Sequence, residues 1–219
     1  MYFVDVRQKY QYISDEEEET MPPVAERILS HSKSLPEGAL ISAKELLHLG
    51  SRAAIDQALK RLHERNELMR LAQGLYVLPV KTRFGTRAPS VEKVIEGLAA
   101  TRAETIVPHG AAAANKLGLT TQVPTKFVYL TSGPNRQLKL GAQTIEIKKA
   151  PQWMLLPTKP AAGQAVRALE WVGERGVGEA LRVLKQKLPE ETLHDLIALR
   201  PALPSWMSKS ISKALLANG

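Results

Sequence analysis

The chain has 219 residues, of which 44% are hydrophobic and 24% are charged, an ordinary composition for a globular protein. It contains no apolar run of about eighteen residues, which excludes a transmembrane helix, and no basic start followed by an apolar segment, which excludes a secretory signal. The absence of cysteine excludes disulfides and thiolate metal sites. These features predict a cytoplasmic protein that does not enter a membrane.

The net charge of +8 is unevenly distributed along the chain. Residues 1–20 hold six acids and two bases, a net of −4, which leaves +12 for residues 21–219. A body this basic favours a polyanionic partner, although basic proteins without one are common. The acidic run Asp15–Glu19 is typical of disordered segments. We expect residues 1–20 to be a disordered extension, either upstream of a translation start at Met21 or an acidic arm that competes with the polyanion.

The first part of the basic region, residues 21–219, has the sequence pattern of a helix, a strand and a second helix. Hydrophobic spacing predicts a helix over about 23–33 and a short strand over 39–41. Ser42 and Glu45 form a capping box, which predicts a helix that ends at a left-handed Gly50.

A third helix and a hairpin follow. Ser51 is an N-cap, and the apolar residues after it predict a helix to about residue 66. The apolar runs 68–71 and 75–78 flank Gly74 and predict a β-hairpin. Two helices joined by a Gly turn and followed by a hairpin form the outline of a winged helix-turn-helix, a DNA-binding module. Residues 42–88 support this hypothesis with nine Lys and Arg against four Asp and Glu.

Placing Ile55 at the centre of the buried face, with about 100° per residue, identifies the outward side chains of the second of these joined helices. In helix-turn-helix proteins the N-terminal residues of this helix approach the bases. Arg52 suits guanine and Gln57 suits adenine, whereas later basic residues suit phosphates. The predicted DNA-binding residues are Ser51, Arg52, Gln57, Lys60 and Arg61 on the helix, Arg70, Gln73 and Gly74 on the hairpin, and Lys81 and Arg83 beyond it. The alternatives are a polar face that contacts only water and a surface that docks a partner chain.

The remaining residues predict an α/β unit and a helical bundle. Ser90 caps a helix whose inward residues are Val91, Val94, Ile95 and Leu98. Short strands are predicted at 105–107, 126–131 and 143–149, with a small-residue helix after His109. Helices at 161–174, 177–187, 190–199 and 205–217 indicate a bundle.

The fold class is therefore α+β, with four regions. These are the acidic extension 1–20, a winged helix-turn-helix domain at 21–80, a basic linker at 81–90, and a C-terminal α/β domain at 91–219 that ends in a helical bundle.

Nothing in the sequence predicts catalysis, a cofactor or a metal ion. The five histidines are scattered, and none has the spacing of a metal site. His109 and Gly110 indicate either an anion site at a helix start or, as we favour, a tight helix entry whose alanines pack on a strand. The basic residues of the C-terminal domain either extend a nucleic-acid surface or only contact water; they are Lys139, Lys148, Lys149, Lys159, Arg167, Arg175, Arg182, Lys185 and Lys187.

The phrase LLHLGSRAAIDQALKRLHERNELMRLAQGLYVLP resembles the N-terminal winged helix of AbiEi-like antitoxins, the regulatory partners in type IV toxin–antitoxin pairs. The segments SVEKVIEGLAA and IVPHGAAAANKLGLTTQVPTKFVYLTSG resemble the start of that family's C-terminal domain. The resemblance covers about residues 22–150. The first twenty residues and the last sixty-five lie outside it.

This resemblance implies a non-enzymatic transcriptional autorepressor whose winged helix binds double-stranded DNA at repeats in its own promoter. It also implies a C-terminal domain that neutralises a nucleotidyltransferase-like toxin, often without a stable complex, and it brings no catalytic residues. We expect a monomer or weak dimer. A protein-interaction module that docks a partner chain and does not bind DNA is the alternative.

Overall fold

The computed structural model describes residues 22–156 and 158–216, which form a mixed α+β fold. The predicted acidic extension, residues 1–20, lies outside the described residues. The helices are α1 Val24–Ser34, α2 Arg52–Glu64, α3 Val91–Arg102, α4 Gly110–Lys116, α5 Gln152–Leu155, α6 Pro160–Lys187, α7 Glu190–Ala198 and α8 Ser205–Leu215. The strands are β1 Leu40–Ser42, β2 Met69–Ala72, β3 Leu75–Val77, β4 Val80–Thr82, β5 Gly85–Arg87, β6 Ile106–Pro108, β7 Phe127–Thr131, β8 Arg136–Leu140 and β9 Gln143–Lys149.

The first sheet is antiparallel and buried on both faces. Its strand order is β1-β3-β2, and β3 pairs with both neighbours. Ile41 and Tyr76 face the core that α1 and α2 form with this sheet. The opposite side chains, Leu40, Leu75 and Val77, belong to a different core. Because successive strand residues point to opposite faces, β1 and β3 contribute to both cores, whereas the apolar residues of β2 pack only in the second.

That other core lies between the first sheet, α3 and a second sheet. The second sheet has the order β6-β7-β9-β8, with β7 parallel to β9 and the other pairs antiparallel. Its buried residues include Leu138, Ile145 and Ile147, which pack with Val94 of α3 and Val77 of β3. This core therefore joins residues on both sides of the predicted linker.

Two segments differ from their sequence-based descriptions. Within the predicted linker, β4 and β5 pair as an antiparallel hairpin with Val80 opposite Arg87. Strand β8 was not predicted, yet Leu138 and Leu140 alternate with exposed residues and are buried. Both segments are short and rich in charged residues. They therefore lack the longer run of β-branched and aromatic residues that predicts a strand from the sequence.

The C-terminal helices pack around their own core, which contains Leu181, Leu184, Leu196, Met207 and Ile211. The two helices predicted at 161–174 and 177–187 are one helical segment, α6, interrupted at Gly173. Gly173 has φ 78° and ψ 173°, a conformation that glycine adopts without the steric cost of a β-carbon. The predicted break at Gly176 was therefore wrong by three residues.

No helix in residues 22–156 and 158–216 combines the length and the apolar character needed to span a bilayer.

Candidate functional site

Helix α2 begins at a defined cap. The Ser51 hydroxyl oxygen accepts a hydrogen bond from the Ala54 backbone N–H at 3.3 Å, which satisfies one of the unpaired donors of the first turn. Ile55, Ala58, Leu59 and Leu62 are buried, as the helical spacing predicted.

The segment before α2 is a turn rather than an α-helix. Residues 43–46 form turns, and only Leu47–Leu49 are helical, in a 3-10 conformation. The predicted contact between Ser42 and Glu45 is present, because the Glu45 carboxylate accepts from the Ser42 N–H at 3.2 Å. Arg27 of α1 donates to the Leu49 carbonyl. Gly50 is extended with φ 160°, so the predicted left-handed glycine was wrong.

The outward face of α2 is polar and exposed. Arg52 donates through Nε to Asp56 Oδ2 at 2.8 Å, and Lys60 Nζ lies 3.8 Å from Glu64 Oε1. Both pairs span four residues along the helix, the spacing at which side chains of successive turns meet. Gln57 and Arg61 are exposed beside them.

The remaining predicted DNA-binding residues lie on the two hairpins that follow. Arg70 is on β2, and Gln73 and Gly74 form the tip of the β2–β3 hairpin, where Gly74 has φ 68°. Lys81 and Arg83 lie on the β4–β5 hairpin. The ten predicted residues are all exposed, and the structure places them on three consecutive elements of the chain: Ser51, Arg52, Gln57, Lys60, Arg61, Arg70, Gln73, Gly74, Lys81 and Arg83.

A groove of about 600 Å³ joins the end of α2, strand β2, strand β5 and the β8–β9 turn. Its titratable lining is entirely basic, and no acidic side chain contributes to it. The basic lining residues are His63, Arg65, Arg70, Arg87 and Lys139. Only Arg70 belongs to the predicted site. His63 and Arg65 lie at the end of α2 and Arg87 lies on β5, and the contact of β2 with β8 brings Lys139 beside them.

Residues 27–196 match DUF6088, a family of unknown function. The chain belongs to the DUF6088 family. The matched region runs from α1 to α7 and includes α2, both hairpins and the second sheet. No curated protein matches the chain.

Among solved structures, this DUF6088 chain is similar to the crystal structure of the RV2827C protein from Mycobacterium tuberculosis. The two share 17% sequence identity with a TM-score of 0.49. The match covers 91% of this chain and 78% of the other.

The small-residue helix of this DUF6088 chain, α4, is capped by His109. Its Nδ1 accepts from the Ala111 N–H at 3.3 Å, which requires the neutral imidazole. Burial, followed by the positive charge of Lys148, lowers the pKa of His109 below its ordinary value of 6.5. Ala113 and Ala114 pack against Ala168 of α6, so the alanines contact a helix and not the predicted strand.

The basic residues predicted on the C-terminal surface have different environments. Arg167 is 4% exposed, and its Nη1 donates to the Met154 carbonyl at 2.9 Å. Burial lowers its pKa to about 10. Its inclusion in a surface patch was therefore wrong. Lys148 and Arg182 are exposed and paired with Glu146 and Glu179.

In the described part of the chain, no three His, Asp or Glu side chains gather in an arrangement that could hold a metal ion.

One further residue was not identified from the sequence. Phe84, at the tip of the β4–β5 hairpin, is 86% exposed, and the Arg83 guanidinium carbon lies 4.6 Å from its ring centre. The sequence Arg-Phe-Gly within a basic segment could have indicated an exposed aromatic residue at a turn. Residues 81–90 were instead predicted to be a linker.

Proposed function

We propose that this DUF6088 protein is a sequence-specific regulator that binds double-stranded DNA through residues 24–77. The single observation that carries the proposal is the outward face of α2, which is capped at Ser51 and exposes Arg52, Gln57, Lys60 and Arg61. The surrounding elements support it. These are a helix, a strand, a short 3-10 turn, a second helix and a hairpin, with strand order β1-β3-β2, the series of elements expected of a winged helix-turn-helix.

In this proposal α2 enters the major groove and the two ends of its exposed face have different roles. The helix start, with Arg52 and Gln57, faces the base edges, where Arg pairs with guanine and Gln with adenine. Lys60 and Arg61, between two and three turns from the cap, contact phosphates. Arg70 and Gln73 on the hairpin do the same. Base contacts select the sequence, and phosphate contacts set affinity and position.

We also propose that the protein represses its own promoter and acts as the antitoxin to a nucleotidyltransferase-like toxin. The support is the resemblance of residues 22–150 to AbiEi-like antitoxins. The N-terminal unit selects the promoter repeats, and the unit built from β6–β9 and the C-terminal helices neutralises the toxin.

Fluorescence anisotropy with a duplex from the region upstream of the coding sequence tests the DNA-binding proposal. Arg52→Ala should reduce discrimination between this duplex and a scrambled one by about 1–3 kcal/mol. Lys60→Ala should weaken binding to both duplexes alike. Lys209→Ala on α8 removes another exposed charge far along the chain and serves as the control. Absence of binding at low salt, or equal effects of Lys60→Ala and Lys209→Ala, would contradict the proposal.

Co-expression tests the antitoxin proposal separately. A nucleotidyltransferase encoded beside this chain should arrest growth alone, and the full chain should restore growth. The Arg52→Ala variant should still restore it when both genes are under foreign promoters, because neutralisation is assigned to the second unit. A stable complex without duplex binding would instead favour a docking module.

A further inference from the structure

The β4–β5 hairpin is the most exposed element of the region around α2. All residues from Lys81 to Arg87 are exposed, and Phe84 at the tip is the most exposed large hydrophobic side chain among the described residues, at 86%. Transferring an aromatic ring of this size from water to an apolar contact is favourable, so a partner that covers Phe84 would gain binding free energy from it.

The tip has a fixed local structure. The Thr82 hydroxyl donates to the Gly85 carbonyl at 2.9 Å and accepts from the Phe84 N–H at 3.2 Å. Arg83 stacks on the Phe84 ring at 4.6 Å. These contacts hold a cation and an apolar ring together at the end of a narrow hairpin. Because the hairpin is ordered before binding, it loses less conformational entropy when a ligand contacts it.

The charge of the hairpin restricts the partner. Lys81, Arg83 and Arg87 are its charged residues, and it contains no acid. Arg87 reaches back to Glu37 at 3.3 Å and also lines the basic groove described above, together with Arg65 and Lys139. A basic hairpin with an apolar tip, standing beside an acid-free groove, is complementary to nucleic acid.

We infer that the β4–β5 hairpin inserts Phe84 and Arg83 into the minor groove of duplex DNA, while Arg65, Arg87 and Lys139 in the basic groove bind the adjoining phosphates. This inference rests on the proposed DNA binding by α2. An element that protrudes beside a helix in the major groove meets the flanking phosphates and then the minor groove. That groove is narrow and strongly negative, and it accepts Arg side chains and apolar wedges such as Phe.

The test uses the full-length chain, the upstream duplex and a fluorescent minor-groove dye. Phe84→Ala should weaken binding roughly fivefold or more and should no longer displace the dye, with unchanged preference for the upstream over the scrambled duplex. Arg65→Ala combined with Lys139→Ala should weaken binding roughly tenfold at 100 mM salt. It should also make the plot of log affinity against log salt concentration shallower, reducing the magnitude of its negative slope by about 2.

Matched variants control for charge and for apolar area. Val123→Ala truncates another exposed apolar side chain, 75% exposed, and Lys209→Ala with Lys213→Ala removes two exposed charges from α8. Neither should change duplex affinity. The Phe84→Ala variant should melt at the same temperature as the parent chain, because its ring contacts little of the fold.

Two outcomes overturn the inference in distinguishable ways. If the parent chain binds the upstream duplex and Phe84→Ala binds as tightly as Val123→Ala, the minor-groove contact is wrong and the DNA-binding proposal stands. If the parent chain binds no duplex at any salt concentration, both are wrong, and the hairpin is then to be tested as a protein contact.

Discussion

Arg52 and Asp56 form an ion pair on the face of α2 that we propose to contact DNA, with Nε 2.8 Å from Oδ2. Both side chains remain more than half exposed. An exposed pair of this kind adds little to stability, so its effect is mainly to restrict where the guanidinium points. Asp56 also places a negative charge next to the expected path of the phosphates. In the proposed complex this pair has two opposing effects on DNA binding. It orients the Arg52 guanidinium, and the Asp56 carboxylate repels the phosphates.

The first prediction separates these two effects of Asp56. Asp56→Asn should tighten binding to scrambled duplex roughly two- to fivefold, because one repulsive charge is lost in a screened environment. Discrimination between the upstream and scrambled duplexes should fall, because Arg52 is no longer held. Anisotropy titrations at several salt concentrations measure both effects. Glu64→Gln, which removes the partner of Lys60, should raise both affinities equally, and a loss of discrimination there would contradict the assigned roles.

The second prediction follows from the core shared by the two sheets. Leu71 of β2 is 2% exposed and packs in the cluster that contains Ile145 and Ile147 of β9. Leu71→Ala should lower the free energy of unfolding by about 2–5 kcal/mol. The three tryptophans all lie after residue 150, so their fluorescence reports on the C-terminal part of the chain.

Far-UV circular dichroism and tryptophan fluorescence should therefore shift together in urea for Leu71→Ala. Leu47→Ala, at a position 51% exposed, should leave both curves in place. A shift of the circular dichroism curve without a shift of the fluorescence curve would mean that the two regions unfold independently.

The third prediction compares two glycines in helices. A β-carbon on Gly110 of α4 would lie 2.4 Å from the Arg167 carbonyl oxygen and 2.7 Å from Trp171 Cβ. Gly110→Ala should destabilise the protein by about 1–3 kcal/mol, because α4 and α6 must separate. Gly178 of α6 has open space around the same position. Gly178→Ala should stabilise by about 0.5–1 kcal/mol through helix propensity. Thermal melts with equal effects at both positions would contradict the close packing.

The sequence was most informative where structure depends on neighbouring residues. Ser51 and Ser90 each accept a hydrogen bond from a backbone N–H three residues later, as the caps predicted, and α2 ends within about two residues of its predicted end. The outward residues of α2 followed from helix geometry alone. These features need only a few consecutive residues.

The sequence was least informative where distant segments meet. The basic groove exists because Lys139 of β8 and Gly141 of the turn after it lie beside Met69 and Arg70 of β2. Strand β8 was missed because the alternation of Leu138 and Leu140 with polar residues is short, and its strand conformation depends on pairing with β9. The β4–β5 hairpin was read as a linker for the same reason, and with it Phe84 was overlooked.

The last prediction is a pH dependence that originates at His109. Its pKa is lowered in the folded protein by burial and then by Lys148, while the unfolded chain titrates near 6.5. As the pH falls below 6.5, the His109 imidazole is protonated in the unfolded chain while it is still neutral in the folded protein. The unfolded state then holds more protons, so this contribution to stability decreases until the pH passes below the folded pKa. Protonation also converts Nδ1 from an acceptor to a donor and breaks its bond with the Ala111 N–H.

His109→Asn retains a capping side chain that does not titrate. The difference in unfolding free energy between the parent chain and His109→Asn should be constant above pH 7 and should shift in favour of the variant as the pH falls toward 5. Lys148→Gln should reduce this shift, because it removes the charge that helps to lower the pKa of His109. Urea titrations at half-unit pH intervals measure it. A difference that does not change with pH would mean that His109 has the same pKa in the folded and the unfolded state.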